Sequence, residues 1–262
     1  MSNNPSLTKL PIGILGYGVL GKKTHNLFPD ALVFDKYGEH KDDLSSCQVV
    51  FVAVPTDLSG DTLDEMEIED AVKNCEAEVL VIRSATNPGF ADRMKSKYKK
   101  RIVVQPEYFG ESANHPFARM HQPPFMVLGG DPIDRRVVIN AYATVFHSNI
   151  PIRQCTALEA EVIKLSENRA IFYKLMQIQE LYDACELAGV DFYTVRDAVY
   201  GDDPRFDLWW TFVYPNNRGA DSKCLPKDIY AWLSWAKGNG ADTQAISALL
   251  DYNESLLKRP PA

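Results

Sequence analysis

The chain of 262 residues has no apolar run approaching the roughly 18 residues that a membrane-spanning helix requires. Its first stretch, Met1 to Lys9, is polar and lacks the apolar segment of a secretory signal. Basic residues are in the minority: 28 Lys and Arg stand against 35 Asp and Glu, for a net charge of −7. That balance argues against nucleic acid or an anionic membrane surface as the main partner. Cysteine is scarce. The five thiols, at 47, 75, 155, 185 and 224, are odd in number, widely spaced and form no Cys-x-x-Cys. The pattern fits reduced cysteines in a cytoplasmic protein rather than a disulfide framework, and no metal site is expected. Internal repeats and low-complexity tracts are also absent.

What is present divides the chain into two halves, as its length allows. In the first, the segments Ile12–Leu15, Ala31–Phe34, Val49–Ala53, Val79–Ile82, Ile102–Val104 and Phe125–Leu128 are short, rich in Val, Ile and Leu, and nearly without polar alternation. Continuous apolar strands separated by helical stretches imply a parallel sheet covered on both faces. Asp131 to Phe146 reads as the helix that closes this half. The second half reads as all-helical. Thr156-Ala157-Leu158-Glu159 is a capping box, and helical periodicity then runs to Leu187, with Gly189 as the stop. Asp191 caps a short helix through Val199, Pro226 opens another to Lys237, and Asp242 caps a last one to Leu257. The expectation is an α/β fold: a Rossmann-type doubly wound parallel sheet over 1–152, then an all-helical domain over 153–262 with one long central helix.

Four local patterns carry chemistry. Gly16-Tyr17-Gly18-Val19-Leu20-Gly21 follows the first strand and opens a helix. Its glycines allow a tight turn, close approach of a pyrophosphate and close helix–strand packing. Asp35 follows Val33-Phe34, where a carboxylate binds ribose hydroxyls and repels a 2′-phosphate, favouring NAD over NADP. Lys164 and Asn168, four apart on the long helix, project from one face. Such a pair can bind a substrate oxygen, although on spacing alone it is equally a solvated helix face. Glu107, just beyond Ile102–Val104, sits where parallel sheets bind ligands, and reads either as a general base or as a plain loop carboxylate. Finally, Cys224 precedes Leu225-Pro226-Lys227-Asp228 at the expected start of a helix. Unpaired amides and the helix dipole there favour a thiolate, and Lys223 and Lys227 act in the same direction.

Taken in order, these residues resemble the UDP-glucose/GDP-mannose (nucleotide-sugar) dehydrogenase family, in a short form without the family's carboxyl-terminal nucleotide-binding domain. The likeness runs from Gly13 to about Leu250. Phe51-Val52-Ala53-Val54-Pro55-Thr56, Ser84-Ala85-Thr86-Asn87-Pro88-Gly89-Phe90 and Pro106-Glu107-Tyr108-Phe109-Gly110-Glu111-Ser112 are similar to three of its strand ends. Glu161-Val162-Ile163-Lys164-Leu165-Ser166-Glu167-Asn168 and Cys224-Leu225-Pro226-Lys227-Asp228 match its helix and its cysteine motif. The resemblance implies oxidation of a sugar primary alcohol to a carboxylate with two NAD, through a Cys224 thiohemiacetal and thioester. It gives Lys164 and Asn168 the oxyanion, Asp228 a proton-transfer role through water, and Glu107 the hydrolytic water. Cofactor contacts fall to Gly16, Tyr17, Gly18, Val19, Leu20, Gly21, Asp35, Lys36, Val54, Pro55, Thr56 and Ser84. Substrate contacts fall to Glu111, Lys227 and Arg205, the last across a homodimer interface.

The chain departs from the family pattern in two places. Ala85 stands where the family has a threonine hydroxyl, and Arg218-Gly219-Ala220-Asp221-Ser222-Lys223 replaces a glycine pair close to the cysteine. Two other readings stand beside the leading one. A two-electron 3-hydroxy acid dehydrogenase shares the lysine–asparagine face but has no need of a thiol. A non-catalytic NAD-binding protein would explain Ala85 but not the intact Lys164, Asn168, Cys224 and Asp228.

Overall fold

The computed structural model describes residues 11–108, 125–146, 150–222 and 224–260. The chain forms two compact units, one from residues 1–57 and 64–164, the other from 58–63 and 165–262.

The first unit is built on a seven-stranded sheet in the order β2-β1-β3-β6-β7-β8-β9. Its strands are β1 (Ile12–Leu15), β2 (Leu32–Phe34), β3 (Val49–Val52), β6 (Val79–Ile82), β7 (Ile102–Val104), β8 (Met126–Gly129) and β9 (Ile152–Cys155). The helices are α1 (Val19–Leu27), α2 (Met66–Asn74), α3 (Phe90–Tyr98) and α4 (Pro132–Tyr142). Strands β1, β2, β3, β6 and β7 pair in parallel, with Ile14 opposite Phe51 and Phe51 opposite Val81. Alternate residues of one strand enter different cores. Val50 and Val52 of β3 pack with Ile68, Phe90 and Met94, whereas Val49 and Phe51 pack with Phe28, Val138 and Tyr142. Two buried faces leave no position for a polar residue, which is why these strands show no alternation in sequence.

The first half is the expected, mostly parallel sheet, and differs from the expectation in two details. The sheet is not wholly parallel, because β8 pairs antiparallel to β7 at Val104 and Gly129. β9 has no counterpart among the expected strands, since Arg153 and Gln154 are exposed and break the apolar pattern, yet it pairs in parallel with β8. A boundary between 152 and 153 would cut through this strand. The division falls instead between Lys164 and Leu165, within α5 (Ala157–Ala188).

The second unit contains most of α5, then α6 (Phe192–Asp197), α7 (Leu225–Gly238) and α8 (Gln244–Leu257). The capping box at the start of α5 is formed: Thr156 N–H donates to Glu159 Oε2 at 2.7 Å, and Glu159 N–H donates to Thr156 Oγ1 at 3.2 Å. α6 is shorter than expected, ending at Asp197, and gives way to a π-helical turn over Ala198–Asp202. Phe172, Leu175, Met176, Ile229, Leu233, Ile246 and Leu250 form the core shared by α5, α7 and α8. The unit also takes in a hairpin from the first half of the chain, β4 (Leu58–Ser59) and β5 (Thr62–Leu63), which packs on α7 with Leu63 buried. Among the described residues no helix is long and apolar enough to cross a membrane.

Candidate active site

In the first unit, the glycine turn between β1 and α1 divides its tasks among three residues. Gly16 has φ +95°, and a Cβ there would lie 2.6 Å from Ala53 O. A Cβ on Gly21 would lie 2.0 Å from Gly16 O, so helix and turn can meet only without one. Gly18 differs: a Cβ would meet nothing within 4 Å, and no side chain caps α1 at this residue. An open helix N-terminus with a bare backbone suits a pyrophosphate. Tyr17, in the turn, sends its hydroxyl to His25 Nδ1 at 2.7 Å, and Val19 and Leu20 begin the helix. Asp35, just past β2, accepts the N–H groups of Tyr17 (2.6 Å), Tyr37 (2.9 Å) and Gly38 (2.6 Å). The Tyr17 N–H does most to hold this carboxyl below its ordinary range. The carboxylate therefore ties the glycine turn to the β2 loop, and these residues fit a dinucleotide whose ribose reaches Asp35. Lys36 is turned to α2, where it pairs with Glu67 at 3.2 Å and Asp70 at 3.6 Å.

The loops after β3 and β6 are stitched together. Ser84 Oγ donates to Val54 O at 2.6 Å, and beyond Pro55 Thr56 Oγ1 donates to Ala85 O at 2.7 Å. Where Ala85 lacks a hydroxyl, the neighbouring Thr86 is buried and directs its own to Glu161 at 3.4 Å. Glu161 lies in the first turns of α5, and its two oxygens accept Gly89 N–H at 2.6 Å and Ala91 N–H at 2.8 Å at the start of α3. Burial outweighs these donors and pushes the carboxyl up from 4.5 to about 7. Three residues on, Lys164 Nζ sits 5.5 Å from the centre of the Tyr108 ring, close enough for a cation–π contact.

Glu107 is not a plain loop carboxylate. Arg83, buried at the end of β6, ion-pairs with it, and Glu107 Oε1 accepts Tyr108 N–H at 2.8 Å. The other arm of Arg83 reaches Thr24 Oγ1 at 2.6 Å on α1, and that hydroxyl donates to Leu20 O at 2.9 Å. Sequence reasoning missed Arg83. Its signal was a lone cation ending an otherwise apolar strand, a position it can hold only with a buried partner. Glu111 lies outside the described residues, as does Lys223.

In the second unit, Asn168 and Asp228 are brought together and almost fully buried. Asn168 Nδ2 donates to Asp228 Oδ2 at 2.5 Å, and Lys227 Nζ pairs with Asp228 Oδ1 at 2.9 Å. Lys227, expected at the substrate, is thus engaged by its neighbour. Cys224 is the N-cap of α7 and half-buried; its carbonyl accepts the Asp228 N–H at 3.2 Å, closing the first turn. Thiol and buried carboxylate therefore stand one turn apart on the same helix. Arg205 is 79% exposed and pairs with Asp203 at 2.6 Å.

Residues 158–255 match the model of the UDP-glucose/GDP-mannose dehydrogenase family, central domain. A UDP-glucose 6-dehydrogenase of Bacillus subtilis is 29% identical over 161 residues, covering 61% of this chain and 33% of that protein. One from Pseudomonas aeruginosa is 25% identical over 225 residues, covering 79% of this chain and 48% of that protein. The chain thus spans half or less of the length of these two relatives. Among solved structures, a UDP-glucose dehydrogenase of Pyrobaculum islandicum superposes with a TM-score of 0.79 at 19% identity, over 97% of this chain and 70% of that one. A UDP-D-ManNAc dehydrogenase of Pyrococcus horikoshii gives 0.79 at 21% identity, over 94% and 69%. Family model and relatives alike point to similarity with the UDP-glucose/GDP-mannose dehydrogenase family, whose central-domain model matches residues 158–255, and the solved structures share the fold.

Proposed function

We propose that the chain acts as an NAD-dependent oxidoreductase of the nucleotide-sugar dehydrogenase type, taking a sugar primary alcohol to the carboxylate. The observation that carries this reading is Cys224 at the head of α7, one turn before an Asp228 already engaged by Asn168 and Lys227. NAD supplies the hydride acceptor, once for each of two oxidations. Gly16, Tyr17, Gly18, Val19, Leu20, Gly21 and Asp35 would hold it, together with Lys36, Val54, Pro55, Thr56 and Ser84. Lys164 and Asn168 stabilise negative charge on the substrate oxygen, a contribution of about 3–4 kcal/mol in comparable sites. Cys224 Sγ adds to the aldehyde carbon while the carbonyl oxygen takes up a proton. Loss of the second hydride, with loss of the hydroxyl proton, leaves a thioester on Cys224. Water then cleaves the C–S bond, releasing the acid and restoring the thiol, with Glu107 accepting the water proton. Asp228 assists proton movement near the thiol. Arg205 contacts substrate from a neighbouring copy in a homodimer, and Glu111 completes the substrate contacts. The protein works in the cytoplasm.

The test is a panel of UDP- and GDP-sugars supplied with NAD, read as NADH formed per sugar consumed. Two NADH per sugar, with Cys224→Ser stalling before acid release, is the expected result. A serine hydroxyl is far less readily ionised than a thiol beside a helix N-terminus. One NADH per substrate with Cys224→Ser fully active would favour a 3-hydroxy acid dehydrogenase, and NAD binding without turnover a non-catalytic role.

A further inference from the structure

Residues 218–222, ahead of Cys224, lack regular structure, yet they are fastened at three successive points. Arg218 is clamped to α5: its Nε donates to Gln179 Oε1 at 2.5 Å, and its Nη2 pairs with Asp183 Oδ1 at 2.7 Å. The guanidinium also lies 4.8 Å from the centre of the Tyr182 ring. Asp183 is shared with Arg259, at 2.7 Å, so the same carboxylate fastens the end of the described chain. Ala220 is clamped to α8. Ala220 N–H donates to Asn253 Oδ1 at 2.7 Å, and Asn253 Nδ2 donates back to Ala220 O at 3.1 Å. Closest to the cysteine, Ser222 Oγ accepts Leu225 N–H at 3.2 Å at the start of α7.

The middle fastening is the most deeply buried. Asn253 is 3% exposed, and its carboxamide satisfies both backbone groups of a single residue, as a neighbouring strand would. The adjoining Gly219 has φ +84°, and a Cβ there would sit 3.0 Å from Asn253 Oδ1 and 3.0 Å from Leu257 Cδ2. The turn and the amide are therefore fitted to each other. Without the amide, a buried N–H and a buried carbonyl would both lack partners, and the segment would have to move to find water.

We propose that Asn253 is a positioning residue for Cys224, acting through Ala220 to set where α7 begins and where the thiol points. This inference rests on the reading of Cys224 as the nucleophile. It adds that the orientation of the thiol is determined by α8, whose contribution lies in its buried amide rather than in any contact with substrate.

The test compares variants of the full chain by the rate at which iodoacetamide alkylates Cys224 at neutral pH, mapped by peptide mass, together with NAD binding and thermal unfolding. Asn253→Ala should slow alkylation about tenfold, because a thiol displaced from the helix N-terminus loses thiolate character, and leave NAD binding unchanged. Leu256→Ala, in the same helix and 1% exposed, removes core volume but keeps the Asn253 amide that holds Ala220, and should lower the unfolding temperature while leaving alkylation within about twofold. Should Asn253→Ala fail to fold, Gly219→Ala disturbs the same junction from the other side and should slow alkylation as well. Alkylation of Asn253→Ala or Gly219→Ala at the wild-type rate, or equal slowing in Leu256→Ala, overturns the proposal. A wild-type Cys224 that does not react overturns the nucleophile reading and the inference together. A reactive Cys224 indifferent to Asn253 overturns the inference alone.

Discussion

At the scale of single residues, the acids of this protein are distinguished by what faces them. Asp35 is held by three backbone donors, yet it remains exposed enough to meet a ribose. The wild type should bind NAD and bind NADP much more weakly, and Asp35→Ala should narrow that preference because the repulsion of a 2′-phosphate disappears. Equal wild-type affinity for the two cofactors, measured by titration, would refute the assignment. Glu161 makes a different prediction. Its carboxyl is raised in the folded protein from 4.5 to about 7, chiefly by burial, with Asp92 adding to the effect and Arg93 opposing it. A raised folded value means that the native state binds the proton more tightly than the unfolded chain. The contribution to stability is therefore full below about pH 4.5 and is lost as pH rises through about 7. Across that window the loss amounts to about 3 kcal/mol. Denaturant midpoints at pH 5 and pH 8 should thus differ less in Glu161→Gln than in the wild type. An unchanged difference would remove Glu161 as the source.

At the scale of elements, the turn between β1 and α1 separates folding from binding within six residues. Gly21→Ala would place a methyl against Gly16 O and should cost about 1–3 kcal/mol of stability. Gly18→Ala meets nothing in the protein and should leave the unfolding temperature nearly unchanged. Its cost falls on the ligand, with NAD binding weakened by about tenfold, or 1.4 kcal/mol. The pair is tested by measuring both quantities on both variants, and equal effects on stability would contradict the division. The same scale shows what local patterns reveal and what they hide. The capping box at Thr156 and Glu159 was legible because its partners are three residues apart. The hairpin at 58–63 was not, because its stability comes from Leu63 packing on α7, far along the chain. β9 escaped notice for a related reason: exposed Arg153 and Gln154 erase the apolar run, and only pairing with β8 makes it a strand.

At the scale of the whole molecule, the second unit leaves Tyr193, Val199, Phe206, Leu208, Trp209 and Tyr214 exposed, in the stretch of chain that also carries the exposed Arg205. Large apolar side chains left exposed along one stretch of chain are the kind of surface that a homodimer would cover. Light scattering at micromolar concentration should give a dimer mass, and Trp209→Glu should shift it toward the monomer. A monomeric wild type would also remove the cross-subunit role of Arg205. The sequence by itself determined the alternation of strands and helices, the glycine turn with Asp35, the capped long helix, and which side chains are candidates for the site. Each of these depends on spacing within a few residues, where backbone geometry alone decides which groups meet. Tertiary structure decided how those side chains are engaged: Arg83 on Glu107, Lys227 and Asn168 on Asp228, Glu161 on the start of α3, Asn253 on Ala220. Apart from the adjacent Lys227 and Asp228, these partners lie many residues apart in the chain and meet only where packing has excluded water. There an unpaired donor or charge is too costly to leave, and that cost selects the partner.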